Sequence, residues 1–169
     1  CQSKIHARIV SQNLNIRNVI NLGCSLWMDE DLDHLESLLV KKKTKNAIIV
    51  NSNNHVKGTD RAISYCENKD INFDLVGPLN WKDLMNEMAG YKHLVFFSRV
   101  LETFCRLVLE ARMLDCKVIT NSNNGCTSED WFQNHTGQEL IDFVRQKKKE
   151  VLQKIFDVVK DDKTEFFVH

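Results

Sequence analysis

An α/β domain built on a parallel sheet is the fold this sequence predicts, on three observations. From Asn46 onward, short apolar runs rich in β-branched residues alternate with longer stretches of helical period, the pattern of successive βαβ units. The 169 residues are 43% apolar, enough for one sizeable core and too few for two comfortable domains. The six cysteines (Cys1, Cys24, Cys66, Cys105, Cys116 and Cys126) contain no CxxC pair, so they read as reduced, mostly buried thiols of a domain that needs no staples.

The elements follow in chain order. Asn18 to Leu22 reads as a first strand. Asp29 or Asp31 opens a helix that carries Leu32, Leu35, Leu38 and Leu39, and Lys41 to Lys43 sit where a helix C-terminus favours cations. Ala47 to Val50 is a strand short enough to be buried on both faces. Thr59 begins a helix with Ala62, Ile63 and Cys66 inward, and Phe73 to Val76 is the next strand. Pro78 lies in the following turn. Asn80 with Asp83 resembles a capping box, Leu84, Met85 and Met88 form the apolar stripe, and Gly90 is expected to close that helix in a left-handed conformation.

Leu94 to Phe97 is a further strand. Glu102 to Asp115 repeats apolar residues at Phe104, Leu107, Val108, Ala111 and Leu114, a spacing of three and four that predicts one helix lying on the sheet. Val118 to Thr120 is the last strand, and Gly137 to about Lys160 is a long terminal helix with Leu140, Phe143, Val144, Val151, Leu152 and Ile155. Residues 1–45 are thus a strand and helix lead-in, 46–160 the main domain, and Asp161 to His169 a tail.

Composition excludes several function classes. With 23 basic and 23 acidic side chains there is no cationic surplus to neutralise phosphates, so no nucleic-acid partner is expected. No apolar run approaches a bilayer span and no secretory leader is visible, which predicts a cytoplasmic protein. Lys147 to Lys149 on the terminal helix offer a peripheral contact with anionic lipid, against the plainer reading of a solvated face. The six histidines are scattered without HExxH or a His-Cys cluster, so no metal is predicted. Cys1 in place of an initiator Met suggests a piece of a longer polypeptide.

In a parallel sheet, ligands bind beyond the carboxyl ends of the strands. Four polar loops qualify here: Asn51 to Gly58, Gly77 to Asn80, Ser98 to Thr103 and Asn121 to Thr127. None is a GxGxxG or Walker loop, which argues against a standard dinucleotide or NTPase site. The informative stretch is Glu102-Thr103-Phe104-Cys105-Arg106-Leu107-Val108-Leu109-Glu110-Ala111. On one helix, two glutamates eight positions apart would stand about 12 Å apart along the axis and about 80° apart around it. That exceeds the roughly 5 to 9.5 Å of a hydrolytic carboxylate pair and suits two ends of an extended ligand. The plain alternative is a charge ladder in which Arg106, four residues from each, pairs with both.

Ser98 and Glu102 after a strand, Leu-Val-Leu-Glu-Ala on the helix, and Cys116 to Asn121 leading to the Gly125 loop together resemble the donor-binding half of GT-B glycosyltransferases, in particular the retaining Glu-(x)7-Glu type. The likeness runs from about Asn46 to Lys160 and implies a Rossmann-like doubly wound parallel sheet, one half of a two-domain enzyme whose N-terminal acceptor domain is a partner. It further implies a nucleotide-sugar substrate, no cofactor and no metal.

By position, Glu102 would contact donor-sugar hydroxyls and Glu110 the ribose, while the backbone at Phe104 and Cys105 would face the diphosphate. Lys57 would stabilise the leaving group. The resemblance also has departures. Asn51 and Ser52 stand where the family has Gly-Arg, and Cys105 and Asp115 replace glycines. Arg106 is a candidate substitute for the absent arginine, Ser52 lies in the phosphate-side loop, and Asn123, Asn124 and Gly125 could offer backbone amides to sugar or phosphate, against the plainer reading of a turn. Asp29-Glu30-Asp31 has the spelling of the metal motif of the other main glycosyltransferase fold, but acidic residues at a helix start serve as caps and dipole partners. The alternatives are a noncatalytic nucleotide- or sugar-binding module and a GT-B-type nucleotide-sugar epimerase.

Overall fold

The computed structural model describes residues 1–161. Of the expected tail, residues 162–169 lie outside the described residues, and Asp161 is the last residue of a helix. The elements run α1 (Lys4–Leu14), α2 (Asp29–Leu38), β1 (Lys45–Val50), α3 (Thr59–Asn68), β2 (Phe73–Val76), α4 (Trp81–Met88), β3 (Tyr91–Phe96), α5 (Arg106–Met113), β4 (Lys117–Thr120) and α6 (Gly137–Asp161). The four strands are all parallel in the order β2-β1-β3-β4, giving a Rossmann-like α/β domain with helices on both faces of the sheet.

Alternation along the central strand divides the core. Ile48 points into the larger cluster with Trp27, Leu32, Leu35, Leu94, Val108, Leu109, Leu140 and Val144, while Ala47 and Ile49 face Ala62, Cys66 and Val95 of α3 and β3. α2, α4, α5 and α6 therefore cover one face and α3 the other. Residues 24–35 belong to the same core as the sheet, because Cys24, Trp27, Leu32 and Leu35 are all buried in the larger cluster.

Local chemistry sets the helix starts as expected at Asn80, whose side-chain oxygen accepts the Asp83 N–H at 3.0 Å. α2 begins at Asp29 without a side-chain cap, its first turn carrying three acids against the helix dipole.

Three expectations are corrected. Asn18 to Leu22 is not a strand. Its backbone bonds to the chain start, the Cys1 nitrogen donating to the Ile20 carbonyl at 2.7 Å and the Leu22 N–H to the Cys1 carbonyl at 2.8 Å, while Asn21 donates to Glu129 at 3.1 Å and Leu22 packs against the core, so the segment is tied down without joining the sheet. Gly90 does not take the left-handed region; α4 ends through right-handed Ala89, and Gly90 instead accepts the Thr44 and Lys45 N–H groups with its carbonyl, both at 3.0 Å. The helix expected over Glu102 to Asp115 begins only at Arg106, since Cys105 has φ +65° and breaks the helical path.

Candidate functional site

A cleft of about 290 Å³ opens beyond the carboxyl ends of β1 and β3. Val50, Phe96 and Leu107 form its apolar floor, and Ser52, Lys57, Glu102, Cys105 and Arg106 supply the polar wall. Five sequence-predicted residues thus meet in one place.

Lys57 is delivered by a tight turn. After β1, Asn54 accepts the Val56 N–H at 3.1 Å and opens a single 3-10 turn over His55–Lys57, which Gly58 closes at φ +64°. A Cβ on Gly58 would fall 2.0 Å from the Phe97 carbonyl oxygen, so only glycine lets the chain pass beneath the end of β3 here. The Lys57 ammonium then reaches the Glu102 carboxylate at 2.7 Å.

Glu102 is held by its backbone. Its N–H donates to the Asn123 carbonyl and its carbonyl accepts the Gly125 N–H, each at 2.8 Å, a one-residue parallel bridge to Asn124. Asn124 is fully buried and donates to the Thr120 hydroxyl at 2.5 Å, which ties the clamp to the end of β4. The loop after β4 therefore aims the Glu102 carboxylate into the cleft. The Gly125 amide is thus bonded to Glu102, and neither Asn124 nor Gly125 is among the residues lining this cleft.

Phe104 is likewise a core residue, edge-on to Trp27 with ring centroids 6.3 Å apart. Burial pushes the Cys105 thiol up to about 12, which disfavours the thiolate at neutral pH. Cys105 and Asp115, the two residues standing where the resemblance expects glycine, both have positive φ (+65° and +60°).

Arg106 opens α5 and lines the cleft, yet it does not pair with Glu102. Its guanidinium lies 4.9 Å over the Trp27 ring, with Nε 3.3 Å from Glu110 and Nη2 3.9 Å from Asp31. Glu110 faces the other way, with only 3% of its surface exposed, and accepts the Trp27 indole N–H at 3.0 Å. Burial raises its carboxyl above the usual range, opposed by Trp27 and Arg106. The two glutamates therefore do not share a helix. The 12 Å geometry drawn from one does not apply, and Glu110 is absent from the cleft wall.

Trp27 is the residue that sequence reasoning missed. A lone tryptophan ahead of a helix carries no sign that its indole will meet an acid 83 positions later. Elsewhere, Asp29 pairs with Lys148 and Lys147 with Glu150, so two of the three lysines of the α6 run are engaged. Among the described residues no group of three metal-ligating side chains forms, and no helix is long and apolar enough to cross a membrane. No family model, curated protein or solved structure matches the chain.

Proposed function

We propose that the chain is the donor-binding domain of a glycosyltransferase, taking a nucleotide sugar in the Lys57–Glu102 cleft and transferring the sugar with retention and without a metal. The observation that carries this reading is the ion pair itself: an ammonium and a carboxylate 2.7 Å apart at the mouth of a cleft beyond the strand ends. A diphosphate competes with Glu102 for Lys57, and a sugar hydroxyl competes with Lys57 for Glu102, so one ligand carrying both groups replaces the pair with two charge-assisted contacts. Lys57 then stabilises the charge that builds on the departing diphosphate. Arg106, with its guanidinium held 4.9 Å over the Trp27 ring, provides a second cation in the lining of the cleft. The acceptor would come from a partner domain across the cleft.

A second reading, a noncatalytic nucleotide-sugar-binding module, is favoured by one observation: Glu110, the residue expected on the ribose, is enclosed by Trp27 and Arg106. Calorimetric titration with UDP, GDP and ADP tests both readings, since each requires saturable binding that weakens when Lys57 is replaced by Ala. Release of sugar from the bound donor, with the partner domain and an acceptor present, separates the enzyme from the module. The absence of binding by all three nucleotides would remove both.

A further inference from the structure

We propose that Arg112 marks a second, separate binding site for a phosphate-type oxyanion, at the carboxyl end of the edge strand β4. This inference holds whether or not the first cleft takes a nucleotide sugar, because the two cavities share no lining residue.

Arg112 occupies a core position of α5. Its neighbours Ala111 and Met113 are completely buried, and Arg112 itself is only 9% exposed. Its guanidinium lies 4.7 Å from the Phe132 ring and donates from Nη2 to the His135 carbonyl at 2.8 Å. Nε is buried without a hydrogen-bond partner, and among the described residues no carboxylate stands within 4.0 Å of the guanidinium. With only a carbonyl and a ring face beside it, the guanidinium keeps unused donor capacity, and a buried N–H left without a partner is costly to the fold.

The space beside it is suited to the missing charge. A cavity of about 280 Å³ is lined by Arg112 together with Thr120, Asn121, Ser122, Thr127 and Gln133. None of its lining residues is acidic, so nothing in the wall competes with an incoming anion. Ser122 and Gln133 are exposed, placing a hydroxyl and an amide at the rim as additional donors. The Thr120, Asn121 and Thr127 side chains already donate to the Phe96, Ser98 and Asn124 carbonyls, so the groups offered to a tetrahedral oxyanion are the Arg112 guanidinium with the Ser122 hydroxyl and the Gln133 amide. The volume leaves room for a small group esterified to that phosphate.

The test uses inorganic phosphate and the intact chain, followed by thermal melting and by the arginine Nε–H resonances in nitrogen-15 NMR. Phosphate is expected to raise the melting temperature saturably and to shift the Arg112 signal. Arg112→Met should bind at least about tenfold more weakly, as loss of a charge-assisted fork requires, whereas Lys57→Ala should retain the Arg112 shift. If Arg112→Met fails to fold, the double variant Ser122→Ala with Gln133→Ala decides, with severalfold weaker binding expected. Equal binding by these variants, disappearance of the Arg112 shift in Lys57→Ala, or no saturable response in the parent would overturn the proposal.

Discussion

The Trp27 indole donates its N–H to the Glu110 carboxylate at 3.0 Å, joining the segment ahead of α2 to the middle of α5 across 83 residues. Arg106 closes the arrangement from the cleft side, its guanidinium over the Trp27 ring and its Nε 3.3 Å from the same carboxylate. An acid that would be costly alone in the core is thereby given two donors, and Arg106 acquires a fixed orientation at the cleft wall.

Replacing Trp27 by Phe keeps most of the buried ring and deletes the donor. The variant is expected to lose about 1 to 3 kcal/mol, the cost of leaving a buried polar group short of a partner. Urea unfolding with an unchanged m-value would report it.

Glu110 makes stability depend on pH. Its folded-state pKa is raised above the ordinary 4.5, chiefly by burial, so the folded chain holds this proton more tightly than the unfolded one. The resulting contribution is fully present below the unfolded value and is lost as pH rises through the folded value. Glu110→Gln, which cannot ionise, should therefore gain on the parent progressively across that window. Paired unfolding curves from about pH 4 to pH 8 measure the difference.

Gly125 is the residue whose replacement should most damage the cleft from a distance. A Cβ there would fall 2.1 Å from the Thr103 carbonyl oxygen and 2.4 Å from Ser3 Oγ, so Gly125→Ala must push apart the bridge that holds Glu102. A loss of about 3 kcal/mol or more is expected from forced displacement at a packed site. Ligand binding should fall along with stability.

The thiols provide a check on burial. Cys24, Cys66, Cys105, Cys116 and Cys126 are buried, and Cys1 is only partly covered. Burial raises the Cys24 and Cys105 thiols to about 12. A thiol reagent at neutral pH should label one cysteine rapidly in the folded chain and all six in denaturant.

The four strands of the sheet were legible because their apolar runs are short and sharply bounded, whereas Asn18 to Leu22 shares that look without a sheet neighbour. β2 falls on Phe73 to Val76 as the sequence predicts. β1 starts two residues early and β3 three, since Lys45, Asn46, Lys92 and His93 interrupt apolar periodicity although Lys45 and His93 pair in the ladder. The start of α5 was misread for a different reason. Phe104 reaches the core from a non-helical backbone, so it mimics a helical position, and spacing cannot register the positive φ of Cys105.

The cleft was legible to the extent that it follows the strand-end rule. Lys57, Ser52, Glu102, Cys105 and Arg106 all arrive there from loops or a helix start. Asn124 and Gly125 lie close in sequence to the right place, yet they serve as the backbone clamp on Glu102. The enclosure of Glu110 was beyond reach, because it depends on a tryptophan brought in by a long-range chain path.

Calorimetric titration of the chain and its Lys57→Ala variant with UDP, GDP and ADP tests the central claim most directly. Saturable binding of at least one diphosphate, weakened at least about tenfold when the ammonium is removed, is the expected result. Binding that leaves Lys57→Ala unaffected, or no binding of any of the three, would contradict the assignment of this cleft.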